Sequence, residues 1–252
     1  QVGDRVGVTW LGKACGNCKF CLQGKENLCL EGEFTGWDKD GGYAEYVVAD
    51  SDFVHPLPEN IDDIHVAPLL CAGVIGYRSL KVCGAGKGAK LGLYGFGNSA
   101  HIAMQIAHHI GCETYAFARS SHHRELAKKL GAKWVGDTSE TPSEKLDNAI
   151  VFAPAGEIVK KSLLDLDRGG KIAINAIHMS DIPSIAYDDL FYERTIQSVS
   201  NGTRADAEGL FSLLKECPIK TEVETYPLEE ANKALLLQKK SQVKAACVLT
   251  VS

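Results

Sequence analysis

Four cysteines fall within one short stretch: Cys15, Cys18, Cys21 and Cys29. Two-residue gaps let the first three thiolates wrap around a single ion, and a later fourth ligand closes the tetrahedron, so the natural product is a structural zinc site. Disulfides and an iron–sulfur cluster are the rivals. A ferredoxin-like run brings its fourth cysteine sooner and follows it with Pro, whereas Leu30 follows Cys29. Such a zinc folds a loop and does no chemistry.

A second chemical pattern is Gly95-Phe96-Gly97-Asn98-Ser99-Ala100, a Gly-x-Gly-x-x-Ala turn. In a dinucleotide site Gly95 makes the tight turn and Gly97 lets the backbone approach a pyrophosphate. Ala100 is small enough for the following helix to pack on the strand. The freed N–H groups of the first helical turn then point at the phosphates.

Both patterns need elements to hold them. Lys90–Tyr94 is a short apolar run that predicts a strand, Ile102, Ile106 and Ile110 recur at helical spacing, and Thr114–Ala118 is a second apolar run. Further strands are expected over 133–135, 148–152, 171–175 and 195–199, with a helix over 157–166 stopped by Gly169-Gly170. Alternating strands and helices predict a doubly wound parallel sheet, whose ligands bind at the carboxyl ends of the strands. The front of the chain differs. Alternating apolar residues from Val2 to Trp10 predict β structure, and the tail reads as a helix over 228–238 and a closing strand over 246–251.

Composition narrows the ligands. The 252 residues carry a net charge of −5, and no basic run contradicts it, which argues against a nucleic-acid or anionic-membrane surface. The longest apolar stretch, from Val66 to Tyr77, is too short to span a bilayer and is broken by Pro68 and Gly73. Nine cysteines without a secretory signal suggest a reducing compartment, so a cytoplasmic protein with small-molecule ligands is expected. The chain opens without Met on what reads as a strand already under way, and this predicts an N-terminally incomplete sequence.

Several motifs agree in order and spacing with one family. Val2-Gly3-Asp4-Arg5-Val6-Gly7-Val8, the four-cysteine lobe, Gly41-Gly42-Tyr43-Ala44-Glu45-Tyr46, Pro68-Leu69-Leu70-Cys71-Ala72-Gly73 and the Gly95 turn together resemble the zinc-dependent alcohol dehydrogenases of the medium-chain dehydrogenase/reductase superfamily. The resemblance covers essentially the whole chain. It implies a Rossmann domain, 76–201, inserted in a GroES-like β-rich catalytic domain, 1–75 and 202–252, that lacks its N-terminal strands. It also implies reversible hydride transfer between an alcohol and an aldehyde or ketone, and a homodimer or homotetramer when complete.

The resemblance assigns individual residues. Taken alone, Cys71 between Leu70 and Ala72 reads as core; its place in the motif makes it a ligand of the catalytic zinc. The family's two other protein ligands and its proton relay precede the segment that opens this chain, so the catalytic site is expected to be incomplete and the chain as it stands inactive. None of the eight histidines supplies an evident substitute. Ala153, Ala176, Ile177, Ser200 and Asn201 are implied near the nicotinamide half of the cofactor. The position where an acid usually receives the ribose 2′-hydroxyl falls at Ala118, followed by Arg119 and Ser120, with Arg124 one turn later. Losing the acid removes a charge that repels a 2′-phosphate, and Arg119 offers a forked contact to one, so NADP(H) is expected over NAD(H). The alternative is that Arg119 stacks on the adenine, which leaves that choice open. Two rival functions stand beside the enzyme: a dinucleotide-binding protein without redox activity, and a zinc-free quinone reductase of the same superfamily. The four-cysteine lobe and Cys71 count against the second.

Overall fold

The structure, a computed structural model, describes residues 1–240, 242–243 and 246–251. They form two compact units, one made of residues 1–75 with 200–252 and the other of residues 76–199.

The first unit begins with β1 (Val6–Val8) and β2 (Leu11–Lys13), so the alternating run from Val2 breaks into two short strands. The cysteine loop follows, containing α1 (Lys19–Leu22), then β3 (Glu33–Phe34) and β4 (Val54–Pro56). β1 pairs antiparallel with β4, and β2 antiparallel with β3. The motif Gly41–Tyr46 forms no strand, and Tyr43, Tyr46 and Val48 stand exposed. α2 (Asp63–Val66) starts at Asp62, whose carboxylate accepts from the His65 N–H at 2.9 Å and caps an otherwise unpaired donor. A 3-10 turn over Ala67–Leu70 leads to α3 (Ala72–Cys83), inside which the chain passes from the first unit to the second.

The second unit alternates strand and helix. In order come β5 (Lys90–Tyr94), α4 (Asn98–His109), β6 (Glu113–Phe117), α5 (Ser121–Lys129), β7 (Trp134–Gly136), β8 (Leu146–Val151), α6 (Gly156–Asp165), β9 (Leu166–Ile174), α7 (Tyr187–Leu190) and β10 (Thr195–Ser198). The six strands form one parallel sheet in the order β10-β9-β8-β5-β6-β7. Leu91, Leu93 and Tyr94 on β5, Tyr115 and Phe117 on β6, and Ile150 on β8 are fully buried, as expected of strands covered on both faces. The direction of winding reverses between β5 and β8, the place where such sheets open a crevice at their carboxyl ends.

One helix stop differs from the sequence reading. α6 ends at Asp165, because Leu166 turns to an extended conformation (ψ 149°) and starts β9 opposite Leu146. Gly169 and Gly170 therefore lie inside the strand, where the register with β8 shifts, and they terminate nothing.

The chain returns to the first unit with α8 (Arg204–Leu213), β11 (Val223–Pro227), α9 (Ala231–Lys239) and β12 (Ala246–Thr250), and β11 pairs parallel with β12. α8 opens with a capping box, in which Thr203 and Asp206 each satisfy a backbone donor of the other. No described helix is by itself long and apolar enough to cross a membrane.

Candidate functional site

The four-cysteine loop is shaped by its own backbone. Cys18 caps α1, with its carbonyl accepting from Leu22 at 3.0 Å, Cys21 lies within that helix, and Cys29 ends the 3-10 turn Glu26–Leu28. The turns bring the sulfurs together: Sγ of Cys15 lies 3.5 Å from Cys29 and 3.9 Å from Cys21, and Cys18 lies 3.6 Å from Cys21. All four ligand atoms fall within 4.8 Å of one another. A zinc ion with Zn–S bonds of about 2.3 Å spaces tetrahedral sulfurs by about 3.8 Å, so the cluster fits that ion. Backbone N–H groups of Cys15 and Cys18 point at the sulfurs of Cys29 and Cys15, each at 3.4 Å, and support thiolate charge. The Cys21 backbone N–H outweighs desolvation at Cys18 and brings its thiol down to about 6, while desolvation pushes Cys21 up to about 12. A metal that takes all four thiolates releases their protons, so its binding depends on pH.

At the carboxyl end of β5, Gly95 has φ +89°, a conformation that L side chains rarely adopt, and a Cβ there would meet Ala153 N at 2.8 Å. The turn thus abuts the loop after β8, whose Phe152 and Ala153 N–H groups bond the Tyr94 carbonyl. Gly97 is the opposite case. Among the described residues nothing lies within 4 Å of the position its Cβ would take, which leaves room for a ligand. α4 starts at Asn98 with no side-chain cap and no acidic residue in its first turn, which leaves the leading N–H groups of Asn98, Ser99 and Ala100 as donors for an anion. Asn98 Oδ1 is buried with no partner among the described residues. An open cradle and uncapped backbone donors fit a dinucleotide diphosphate.

Arg119 and Ser120 follow β6 and are exposed, and Ser120 is the N-cap residue of α5. Arg124 lies partly buried on the first turn of α5 and donates from Nη1 to the carbonyl oxygens of Ala118 and Arg119, each at 2.7 Å. Ala176 and Ile177 follow β9, with the Ala176 N–H reaching the Val151 carbonyl at 3.1 Å. Ser200 and Asn201 belong to the first unit, where the Ser200 carbonyl accepts from Asn27 Nδ2 at 2.5 Å. Asp137, which sequence reasoning passed over, stands beside Arg124, with Oδ2 at 3.4 Å from its Nη1. Only the pairing of β6 with β7 brings it there, so no local pattern marks it.

Cys71 also lies in the first unit, between the 3-10 turn and α3. The residue is exposed at its edge, yet the protein around the sulfur desolvates it and raises the thiol pKa. Among the described residues the cysteine loop is the one group of three or more His, Cys, Asp or Glu side chains placed to share an ion. Cys71 gathers no such partners, so the described residues do not fit a catalytic zinc. Two of the histidines have other partners: His55 Nε2 lies 3.5 Å from Thr9 Oγ1, and His108 Nε2 lies 2.7 Å from Thr114 Oγ1. Trp10 packs on Phe34 at a 4.6 Å ring separation, while Trp37 is exposed.

Residues 1–59 match the model of the alcohol dehydrogenase GroES-like domain, and residues 100–216 match that of the zinc-binding dehydrogenases. A probable alcohol dehydrogenase of Mycobacterium tuberculosis is 46% identical over 250 residues, 99% of this chain and 72% of that protein. Among solved structures, a cinnamyl alcohol dehydrogenase of Sorghum bicolor superposes with a TM-score of 0.90 at 25% identity, over 99% of this chain and 75% of that one. A Helicobacter pylori protein complexed with NADP(H) gives 0.84 at 26%, over 100% and 75%. The chain belongs to the zinc-type medium-chain dehydrogenase/reductase family. Within that family its relatives support an alcohol dehydrogenase function and a nicotinamide cofactor.

Proposed function

We propose that this protein interconverts an alcohol and an aldehyde or ketone by hydride transfer with NADP(H). The observation that carries the reading is the open cradle from Gly95 to Ala100 with Arg119 at the end of the adjoining strand β6. Bound there, the nicotinamide would supply the hydride acceptor or donor. The backbone donors of Asn98, Ser99 and Ala100 would hold the diphosphate. Arg119, which has no side-chain partner among the described residues, would take a 2′-phosphate by a forked contact, with Ser120 beside it. Ala153, Ala176 and Ile177, being small or apolar, would border the nicotinamide half.

Cys15, Cys18, Cys21 and Cys29 are assigned a structural zinc. Cys71 is this chain's candidate ligand for a zinc that assists the reaction, and such an ion needs about two more ligands than the described residues bring to it. For residues 1–252 by themselves, the reading therefore gives cofactor binding with negligible alcohol oxidation. It also carries a homo-oligomer working in the cytoplasm on small alcohols and carbonyl compounds.

The test is a titration of the purified 252-residue protein with NADPH and NADH, followed by nicotinamide fluorescence. NADPH is expected to bind more tightly, and Arg119→Asp to reverse the order. Equal affinities in the wild type, or an unchanged ratio in the variant, would overturn the cofactor assignment. Alcohol turnover of about 1 per second, ordinary for an enzyme, would overturn the statement about residues 1–252.

A further inference from the structure

The loop that bears Arg119 is held from two sides. Arg124 Nη1 bonds the carbonyl oxygens of Ala118 and Arg119, and the Ala118 N–H donates to the Gly136 carbonyl at 3.0 Å. Asp137 comes next after Gly136, so the pairing of Phe117 with Gly136 sets its carboxylate beside the loop. The two oxygens of that carboxylate have separate tasks. Oδ1 accepts from Ser139 N at 3.2 Å, Ser139 Oγ at 3.1 Å and Thr138 Oγ1 at 3.3 Å, while Oδ2 faces Arg124 Nη1. These hydrogen bonds, led by that of the Ser139 backbone N–H, hold the carboxyl below its usual range and keep it charged. Arg124 retains Nε and Nη2 without partners among the described residues. The fork can grip the loop with one nitrogen and still offer two donor nitrogens to an anion.

We propose that Asp137 is a specificity-determining residue for the cofactor: its carboxylate offsets the positive charge at Arg124 and lowers the preference for a 2′-phosphate that Arg119 confers. The inference rests on the NADP(H) reading above. A fixed anion near the adenosine end repels a second anion there and leaves the rest of the dinucleotide unaffected. Both side chains are about one-third exposed, at 31% for Arg124 and 38% for Asp137, so the effect is of moderate size and is screened by salt.

The experiment is isothermal titration of the full chain with 2′,5′-ADP and with 5′-AMP, which differ only in the 2′-phosphate. Asp137→Asn keeps Oδ1 as an acceptor for Ser139 and removes the charge. It is expected to tighten 2′,5′-ADP by roughly three- to tenfold at low salt, to leave 5′-AMP within about twofold, and to lose most of its gain at high salt. Asp137→Glu keeps the charge and is expected to keep the wild-type ratio. Equal changes for both nucleotides, an unchanged ratio in the Asn variant, or the same shift in the Glu variant would overturn the proposal. Failure of the underlying reading looks different. The wild type would then bind 2′,5′-ADP no better than 5′-AMP, whereas the ratio between Asp137→Asn and wild type would still report on Asp137.

Discussion

Glu26 accepts four hydrogen bonds from Arg204, a residue 178 positions further along the chain. The Arg204 backbone N–H reaches Oε1 at 2.7 Å, Nε reaches both carboxylate oxygens at 3.1 Å, and Nη2 reaches Oε2 at 2.8 Å. The guanidinium also lies over the Phe53 ring, 4.6 Å from its centre. Glu26 begins the 3-10 turn that presents Cys29, and Arg204 begins α8. One ion pair therefore ties the cysteine loop to the returning segment of the same unit, and a carboxylate at the N-terminus of a helix is further favoured by the helix dipole.

Replacing Glu26 by Gln keeps the shape and removes the charge. Breaking a buried pair costs about 3–5 kcal/mol, and because Arg204 is partly exposed the expected loss is smaller, roughly 1–3 kcal/mol. Desolvation raises the Glu26 pKa, but the hydrogen bonds and charge of Arg204 outweigh it and hold the carboxyl below its ordinary value. A depressed folded-state pKa gives stability that is present above the unfolded value, about 4.3, and is lost as pH falls through the folded one. Urea unfolding at neutral pH and near pH 4 checks this. Wild type should lose more stability than Glu26→Gln on acidification, so that the two curves approach each other; parallel losses would show that the pair contributes nothing to the pH dependence.

The cysteine loop gives a stoichiometry. With sulfurs 3.5 to 3.9 Å apart along its closest edges, it is built for one ion, and elemental analysis of the 252-residue protein should return about one zinc per chain. Cys18→Ser should lower that number well below one and destabilise the loop, because the free energy of binding a structural zinc is also folding free energy. About two ions per chain would mean that Cys71 has found ligands, and its reading would have to be rebuilt around them.

The cysteine loop and the Gly95 turn were legible in the sequence because their chemistry is local. Cys15 to Cys29 and Gly95 to Ala100 each meet within a few turns of chain, and spacing alone decides what they can hold. The parallel sheet was legible for a related reason: strand segments buried on both faces, such as 91–94 and 149–151, leave short apolar runs. Illegible features depend on distant partners. Gly169 and Gly170 look like a helix stop, yet Leu166 already pairs with Leu146, and that pairing ends α6 earlier. Nothing near Glu26 announces Arg204, and nothing near Arg124 announces Asp137. Gly41–Tyr46 carries a family motif, but a strand exists only where another strand pairs with it, and among the described residues none does.

The core of the second unit holds a polar triad whose members are not equivalent. Tyr94 OH donates to Asp165 Oδ2 at 2.7 Å, and Lys161 Nζ donates to Oδ1 at 2.6 Å. Asp165 is buried, and burial together with its charge raises the Tyr94 pKa, so the phenol stays protonated as the donor. Tyr94→Phe leaves Asp165 bound to Lys161 and should cost about 1 kcal/mol. Asp165→Asn leaves the Lys161 ammonium without its counter-ion and should cost roughly 2–4 kcal/mol. Trp134 can report both, since it packs on Phe117 at 4.8 Å and Phe117 stacks on Tyr94 at 4.0 Å. If Tyr94→Phe proved as damaging as Asp165→Asn by tryptophan fluorescence, the ion pair would not be the stronger partner.

Gly95 and Gly97 sit two residues apart and should fail differently. An alanine at Gly95 faces a left-handed backbone and the Ala153 N–H at 2.8 Å, so strain of about 1–2 kcal/mol is joined by a clash and the domain itself should unfold at lower temperature. An alanine at Gly97 meets φ −108° and open space, so the apo protein should melt within about 1–2 °C of wild type. Its methyl group, however, would occupy the place a diphosphate needs. NADPH affinity should then fall tenfold or more, and the cofactor-induced rise in melting temperature should shrink accordingly. Thermal unfolding of both variants with and without NADPH separates the two cases. A Gly97→Ala protein that NADPH still stabilises as well as wild type would place the diphosphate elsewhere than over this turn.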